Sequence, residues 1–300
     1  MNQAISRPIL TGYLCVLAAT IFWSGNFIIA RDLNGSVAPV SLAFGRWLVA
    51  VLVLFPFAIK SLIGQWALVK ENLAYLSITA FTGITLFNTL LYFGGQTTDA
   101  LVLALISITS PIFIIIFARI FYGELLTFAK VAGILLVVTG VLVLITRGHL
   151  TSLLNLKFAI GDLWMLAGAI VFAIYSILII KKPPQLGARA FQLSTFMLGL
   201  FFLLPLLIWE YAVVGPSSYD SNAVFSIIYL GIFASLFSFM LWNKAISLIG
   251  VTKTGMVYYT LPIFSGLMAW HFLGEDIGWL HLASGVLIIS GILMANRSKK

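Results

Sequence analysis

"FGRWLVAVLVLFP", Phe44 to Pro56, is apolar apart from one permanent cation, Arg46, and no acidic residue lies within ten positions of that cation. Such a run belongs either to the core of a soluble domain or to a membrane crossing, and the rest of the chain decides between them. Of 300 residues, 61% are apolar and 9% charged, against roughly 45–50% and 25% in soluble domains. Too little polar surface is left to cover a water-soluble protein. The charges fall in short intervals between apolar runs of about 20 residues, the length that crosses the hydrocarbon of a bilayer. The chain is an integral membrane protein.

Ten spans are expected, near 11–30, 38–59, 73–95, 100–121, 128–146, 161–180, 190–209, 223–245, 253–273 and 278–295. Backbone polar groups have no partner in lipid, so each span must be a helix or part of a closed barrel. Runs this long and this evenly apolar are helices, since barrel strands are about 10 residues and alternate. The run after Arg7 is too long for the core of a signal peptide and reads as the first span. Lys and Arg gather in alternate connections. Arg7, Lys60, Lys70, Arg119, Lys130, the 181–189 group, Lys244, Lys253 and the C-terminal cluster share one side; Arg31, Arg147 and Lys157 lie on the other. That bias predicts that both termini are cytoplasmic.

The chain also repeats itself. "LCVLAATIFW" (14–23) matches "LWMLAGAIVF" (163–172), and Pro56 matches Pro205, both at an offset of 149. "SPIF" (110–113) matches "LPIF" (261–264), "YGE" (122–124) matches "LGE" (273–275), and "TGVL" (139–142) matches "SGIL" (290–293), all at 151. The longest connection, 146–162, divides the chain near its middle, which gives repeats over 1–150 and 151–300. Each repeat holds five spans, an odd number, so the second enters the membrane upside down. Inverted repeats recur in secondary transporters, with the solute site between halves near the midplane. The expected fold is therefore an all-α integral membrane protein of ten transmembrane helices in two inverted five-helix repeats.

With "FWSGNF" (22–27) on the first helix, "SP" and "LP" on helices four and nine, and "GE" closing both, the chain resembles the drug/metabolite transporter superfamily. It is similar above all to the EamA-type exporters, which include exporters of aromatic amino acids. The resemblance runs from about residue 11 to 295. It implies a multi-pass protein of the bacterial plasma (inner) membrane that exports small metabolites by alternating access, with aromatic or amphipathic amino acids as the cargo. One departure stands out. The second half reads "VFAIYS" (171–176) where the first reads "FWSGNF".

Polar groups at membrane depth are costly and mark candidate sites. Trp23, Ser24 and Asn26 on the first helix, Arg46 on the second, and Asn88, Tyr92 and Gln96 on the third form one candidate cluster in the outer half. Tyr175, Thr195, Trp242, Asn243, Tyr258 and Tyr259 form an inner-half counterpart. Thr195 is the repeat equivalent of Arg46, so a cation stands on one side only. Two readings stay open for Arg46: it faces a cavity, or it snorkels to the outer surface. Trp242 and Tyr92, near span ends, belong either to the site or to an interfacial aromatic belt. Ala100, Ala104 and Ser107 read as a helix-packing face. Pro111 and Pro262 predict kinked or unwound segments. Glu124 and Glu275, followed by Thr127 and Asp276, read as charges at helix N-termini.

Other function classes lose ground. All nine acidic residues fall in loops or at span ends, and no GxxxxGK phosphate loop is present. Cys15 is the only cysteine, and His149, His271 and His281 are scattered, so no metal cluster and no cofactor are expected. An intramembrane enzyme would need a nucleophile–base pair at depth, and Ser24 has no histidine to match. No basic stripe points to nucleic acid. The expected partners are a small-molecule solute and the lipid bilayer, with the chain a monomer or weak homo-oligomer. A passive channel or membrane sensor is the alternative reading.

Overall fold

The computed structural model describes residues 7–33, 36–98, 106–146, 149, 159–273 and 278–296. Ala100, Ala104, Arg147, Lys157, Glu275, Asp276, Arg297, Lys299 and Lys300, and the side chain of Arg31, lie outside what it describes. Among the described residues every regular element is helical. In chain order these are α1 (Arg7–Asp32), α2 (Pro39–Gly64), α3 (Trp66–Glu71), α4 (Leu73–Ala80), α5 (Phe87–Thr97), α6 (Ser110–Tyr122) and α7 (Phe128–Ile145). They continue with α8 (Ile160–Ile180), α9 (Ala188–Val214), α10 (Ser221–Tyr229), α11 (Ser238–Ile249), α12 (Val251–Tyr258), α13 (Leu261–Leu273) and α14 (Trp279–Asn296).

Among the described residues, seven stretches are long and apolar enough to cross a membrane: Arg7–Asn26 within α1, α2, α4 through α5, α8, α9, α10 through α11, and α14. Rows of exposed apolar side chains, among them Leu52, Phe57, Phe201 and Leu282, give these helices a lipid-compatible outer face. Three of the ten expected stretches fall outside the seven. The first, over 100–121, is described only from residue 106, and α6 and α7 are shorter apolar helices. The stretch expected over 253–273 is broken, because α12 ends at Tyr258 and α13 starts at Leu261.

The break has a cause in the sequence. Pro262 sits at the second residue of α13 and Pro111 at the second residue of α6, where a missing N–H has no intrahelical acceptor to lose. Neither proline kinks a continuous helix; each opens a new one after turn residues 108–109 and 259–260. These turns are 151 apart, the offset of the sequence repeat. Two π-helical segments, Phe81–Leu86 and Leu230–Phe237, begin 149 apart, at matching places between α4 and α5 and between α10 and α11. Such segments are rare and gather at functional sites.

Counterpart helices meet antiparallel. Gly133 of α7 lies against Gly291 of α14, and Gly140 against Ser284, so residue numbers rise on one helix as they fall on the other. A Cβ at Gly133 would stand 2.6 Å from the Gly291 carbonyl oxygen, and one at Gly140 3.0 Å from that of Ser284. Close backbone approach of this kind is what small residues allow between membrane helices. Helices α2 and α9 pair in the same sense. Their repeat-equivalent rings Trp47 and Phe196 touch, with centroids 4.7 Å apart. The N–H of Ala38, at the start of α2, donates to Ser217 Oγ (3.0 Å) just past the end of α9. The N–H of Gly187, at the start of α9, donates to Gln65 Oε1 (2.7 Å) just past the end of α2.

The first helix of each half packs on the third of the other. Gly12 of α1 meets Ile249 of α11, and Gly161 of α8 meets Thr98 beyond α5; the second contact is the first shifted by the repeat offsets. Glu210 is buried about one turn before the end of α9, near the span end expected for it. Its carboxylate accepts from the N–H groups of Val40 and Ser41, each at 2.7 Å, and from Ser41 Oγ at 2.8 Å. It thereby satisfies orphan donors in the first turn of α2 and places a negative charge at that helix's positive end. Glu124, expected to act on the next helix N-terminus, instead accepts from Thr252 Oγ1 of α12 (2.6 Å) and pairs with Lys130 (3.2 Å). Thr127 is the cap of α7, accepting from the Lys130 N–H.

If the α7–α14 approach is close-packed, Gly291→Leu should destabilise the protein by about 1–3 kcal/mol through overpacking. Thermal unfolding in detergent reads this, with Gly285→Ala, which meets nothing within 4 Å, expected to leave stability unchanged or to raise it by up to about 1 kcal/mol.

Candidate functional site

Arg46 is the eighth residue of α2, which carries it roughly 12 Å into the bundle at 1.5 Å per residue. Its side chain is 1% exposed, so it does not snorkel to the surface. Three neutral oxygens hold the guanidinium. Nε donates to Ser235 Oγ (2.6 Å), and one Nη donates to Tyr92 OH (2.7 Å) and Asn26 Oδ1 (3.2 Å). Tyr92 OH also donates to Asn26 Oδ1 (3.2 Å), which closes a ring of hydrogen bonds. Among the described residues no carboxylate pairs with this cation.

The elements explain the convergence. Asn26 comes from α1, Tyr92 from α5 two turns past its π segment, and Ser235 from the π segment ahead of α11. Asn88 lies one turn before Tyr92 on the same face, but its amide turns back to the carbonyls of Gly83 and Ile84, both at 3.4 Å. It faces the same small cavity as Arg46 and Asn26, whose remaining walls are Trp23, Phe87, Leu91, Phe172 and Tyr258. The space has room for about one water molecule. The site is closed around its cation.

Behind the cavity stands a knot of rings. Trp23 (α1), Phe172 (α8), Trp242 (α11) and Tyr258 (α12) make all six mutual ring contacts, with centroids 5.2 to 5.9 Å apart. Trp23 and Phe172 are 149 apart in sequence and touch each other, so this knot sits where the two halves meet. Both indole N–H groups are satisfied within the protein: Trp23 Nε1 donates to the Ala234 carbonyl (2.9 Å) and Trp242 Nε1 to Ser176 Oγ (3.2 Å). Ring pairs of this kind contribute about 0.5–1.5 kcal/mol each beyond burial.

The expected residues therefore sort themselves. Trp23, Asn26, Arg46, Asn88 and Tyr258 surround the cavity, and Tyr92 braces the cation. Trp242 and Tyr92, 0% and 4% exposed, are buried and form no interfacial belt. Ser24 does not line the cavity; its hydroxyl lies within bonding distance of the carbonyls of Thr20 (2.9 Å) and Leu261 (3.2 Å), beside the break at Pro262. Tyr175 donates to Asn243 Oδ1 (2.8 Å), away from the guanidinium. Tyr259 is buried, and its hydroxyl has no hydrogen-bond partner among the described residues. Gln96 is exposed, a turn beyond Tyr92. Pro111 and Pro262 start helices. Sequence reasoning misses Ser235, Phe87, Leu91 and Phe172. Only Phe172 left a signal, as the repeat equivalent of Trp23.

The sequence matches the EamA-like transporter family twice, over residues 10–146 and 159–297. It is similar to an uncharacterized transporter of Archaeoglobus fulgidus, 24% identical over 290 residues, covering 94% of this chain and 96% of that one. The uncharacterized transporter YyaM of Bacillus subtilis is 27% identical over 288 residues, covering 95% and 93%. A probable terminal-alkyne amino-acid exporter of Streptantibioticus cattleyicolor is 27% identical over 229 residues, covering 76% and 74%. A solved crystal structure superposes with a TM-score of 0.76 at 19% identity, covering 95% of this chain and 96% of the other, which establishes a common fold.

A hydrogen bond to a charged group contributes about 1.5–3 kcal/mol. Tyr92→Phe should therefore lower thermal stability in detergent by about that much while Arg46 is present. In an Arg46→Met background the same change should cost under about 0.5 kcal/mol, because the charge it serves is gone.

Proposed function

The chain belongs to the EamA-like transporter family, and on that premise we propose that it is a secondary-type exporter of small metabolites working by alternating access. Its cargo is amino acids, aromatic or amphipathic, and related compounds. Ten membrane helices form two inverted five-helix repeats, 1–150 and 151–300, with both termini in the cytoplasm. The antiparallel pairing of α2 with α9 and of α7 with α14 supports the inversion, and the bias of Lys and Arg supports the sidedness.

One observation carries the substrate class: a buried guanidinium with only neutral partners, facing a cavity walled by aromatic rings. A carboxylate fits the guanidinium's planar fork, and a ring fits the faces of Trp23, Phe172 and Tyr258. Asn26, Tyr92 and Ser235 keep the cation solvated between cargoes. Asn88 offers a carboxamide at the cavity wall for the amino group. The cavity is too small for any amino acid, so loading requires the halves to part at the ring knot, and the same contacts reclose behind the cargo. The relative named as an amino-acid exporter supports this class.

Counterflow of radiolabelled phenylalanine in proteoliposomes tests the reading. Wild type should show saturable exchange. Arg46→Gln should fold and raise the half-saturation concentration for phenylalanine at least about ten-fold, the effect of losing one charged contact. Arg46→Lys should fall between, keeping charge but losing the fork. No saturable exchange of any aromatic amino acid by wild type would sink the proposal.

A further inference from the structure

On the far side of the ring knot lies a second polar junction. One turn beyond Phe172 and next to Trp242, the Tyr175 hydroxyl donates to Asn243 Oδ1 (2.8 Å), and Asn243 Nδ2 donates to Gln192 Oε1 (3.1 Å). These positions are not arbitrary. Asn26 and Tyr175 are 149 apart, and Tyr92 and Asn243 are 151 apart, the two offsets of the repeat on either side of the π segments. The tyrosine–asparagine hydrogen bond beside Arg46 therefore recurs in the second half, with the two residue types exchanged between helices.

The third member differs. Thr195, the equivalent of Arg46, turns back onto its own helix and bonds the carbonyls of Phe191 (2.9 Å) or Gln192 (3.0 Å). Gln192, three residues earlier and so on the same helix face, occupies the role that the guanidinium has in the first half. Gln192 is 3% exposed, and its Nε2 has no hydrogen-bond partner among the described residues. A buried amide donor left unmet is unfavourable and calls for a reason. The connection that leads into α9 packs close by. Lys182 folds back to donate to the Leu186 carbonyl and lies 5.8 Å from the Phe191 ring, and burial lowers its pKa.

We propose that Gln192, with Asn243 and Tyr175, forms a second, charge-neutral solute subsite whose free amide N–H takes an acceptor oxygen of the cargo, carboxylate or carbonyl alike. The proposal rests on the transporter reading. The two junctions serve the cargo in turn, one with a cation and one without, and the ring knot separates them. Because the Gln192 donor is neutral, this subsite does not require the cargo to carry a charge.

Phenylalanine counterflow in proteoliposomes, with phenylalaninamide as competitor, tests it. Phenylalaninamide should inhibit wild type, since its carbonyl oxygen satisfies the amide donor. Gln192→Glu keeps the acceptor that Asn243 uses and replaces only the unmet N–H by a charged oxygen. It should raise the half-saturation for phenylalanine about ten-fold or more by repulsion, whereas phenylalaninamide can turn its carboxamide so that its own N–H donates to the new oxygen, and its inhibition should change less than about two-fold. Gln192→Leu, which needs no buried charge, should weaken both about ten-fold. Equal effects of Gln192→Glu on the two compounds, no effect of either variant, or no inhibition of wild type by phenylalaninamide would overturn the subsite and leave the transporter reading standing. Absence of phenylalanine exchange by wild type would overturn both.

Discussion

One buried cation sets the terms for the centre of this protein. Arg46 cannot shed its charge or reach water, and no described carboxylate meets it. An uncompensated charge at this depth is among the most costly features a membrane protein can carry. Compensation comes from three neutral oxygens on three different segments, α1, α5 and the π segment before α11. Those segments must therefore meet at one point. The π turns help them do so, because each rotates the following helix face by part of a turn; within the second, the Ala234 carbonyl receives the Trp23 indole.

Pseudo-symmetry explains why the centre is both tight and divisible. Repeat-equivalent residues touch at Trp23 with Phe172 and at Trp47 with Phe196, so the two halves share a seam of rings. Rings pack well without directional bonds, and one hydrogen bond that crosses this seam is that of the Trp23 indole to the Ala234 carbonyl. Polar junctions flank it, the Arg46 ring of hydrogen bonds on one side and the Gln192 chain on the other. At the helix ends, Glu210 on α2 and Glu124 on Thr252 tie the first half to the second. These carboxylates, Glu210 buried and Glu124 partly exposed, brace a helix start and a neighbouring helix, as the absence of acidic residues from mid-span leads one to expect.

Much of the fold was legible because it follows from composition and spacing. Runs of about 20 apolar residues declare helices in lipid, and the offset of 151 reappears in a pair of symmetry-related contacts, Gly133 with Gly291 and Gly140 with Ser284, since Ser284 and Gly291 are the repeat equivalents of Gly133 and Gly140. The change from 149 to 151 corresponds to the unequal π segments, six and eight residues long, which no hydropathy profile reveals. Helix interruptions at Pro111 and Pro262 were visible, but their form was not: a proline reads equally as a kink or as the start of a new helix. For the site, depth placed Asn26, Arg46, Asn88 and Tyr92 together. Burial of Trp242 and the part played by Ser235 depend on rotation about helix axes, to which a span of nearly uniform apolarity is blind. Gln192 carried no signal by itself; it stands one turn from the place where the repeat points.

The account turns on what the Arg46 guanidinium does when cargo arrives. The most direct measurement is a structure of the protein with phenylalanine bound. The account predicts the ligand carboxylate about 2.7–2.9 Å from Arg46 nitrogens, the ring against Trp23, Phe172 or Tyr258, and at least one of the bonds to Asn26, Tyr92 and Ser235 released. A ligand bound elsewhere, with Arg46 still tied to all three oxygens, would contradict it.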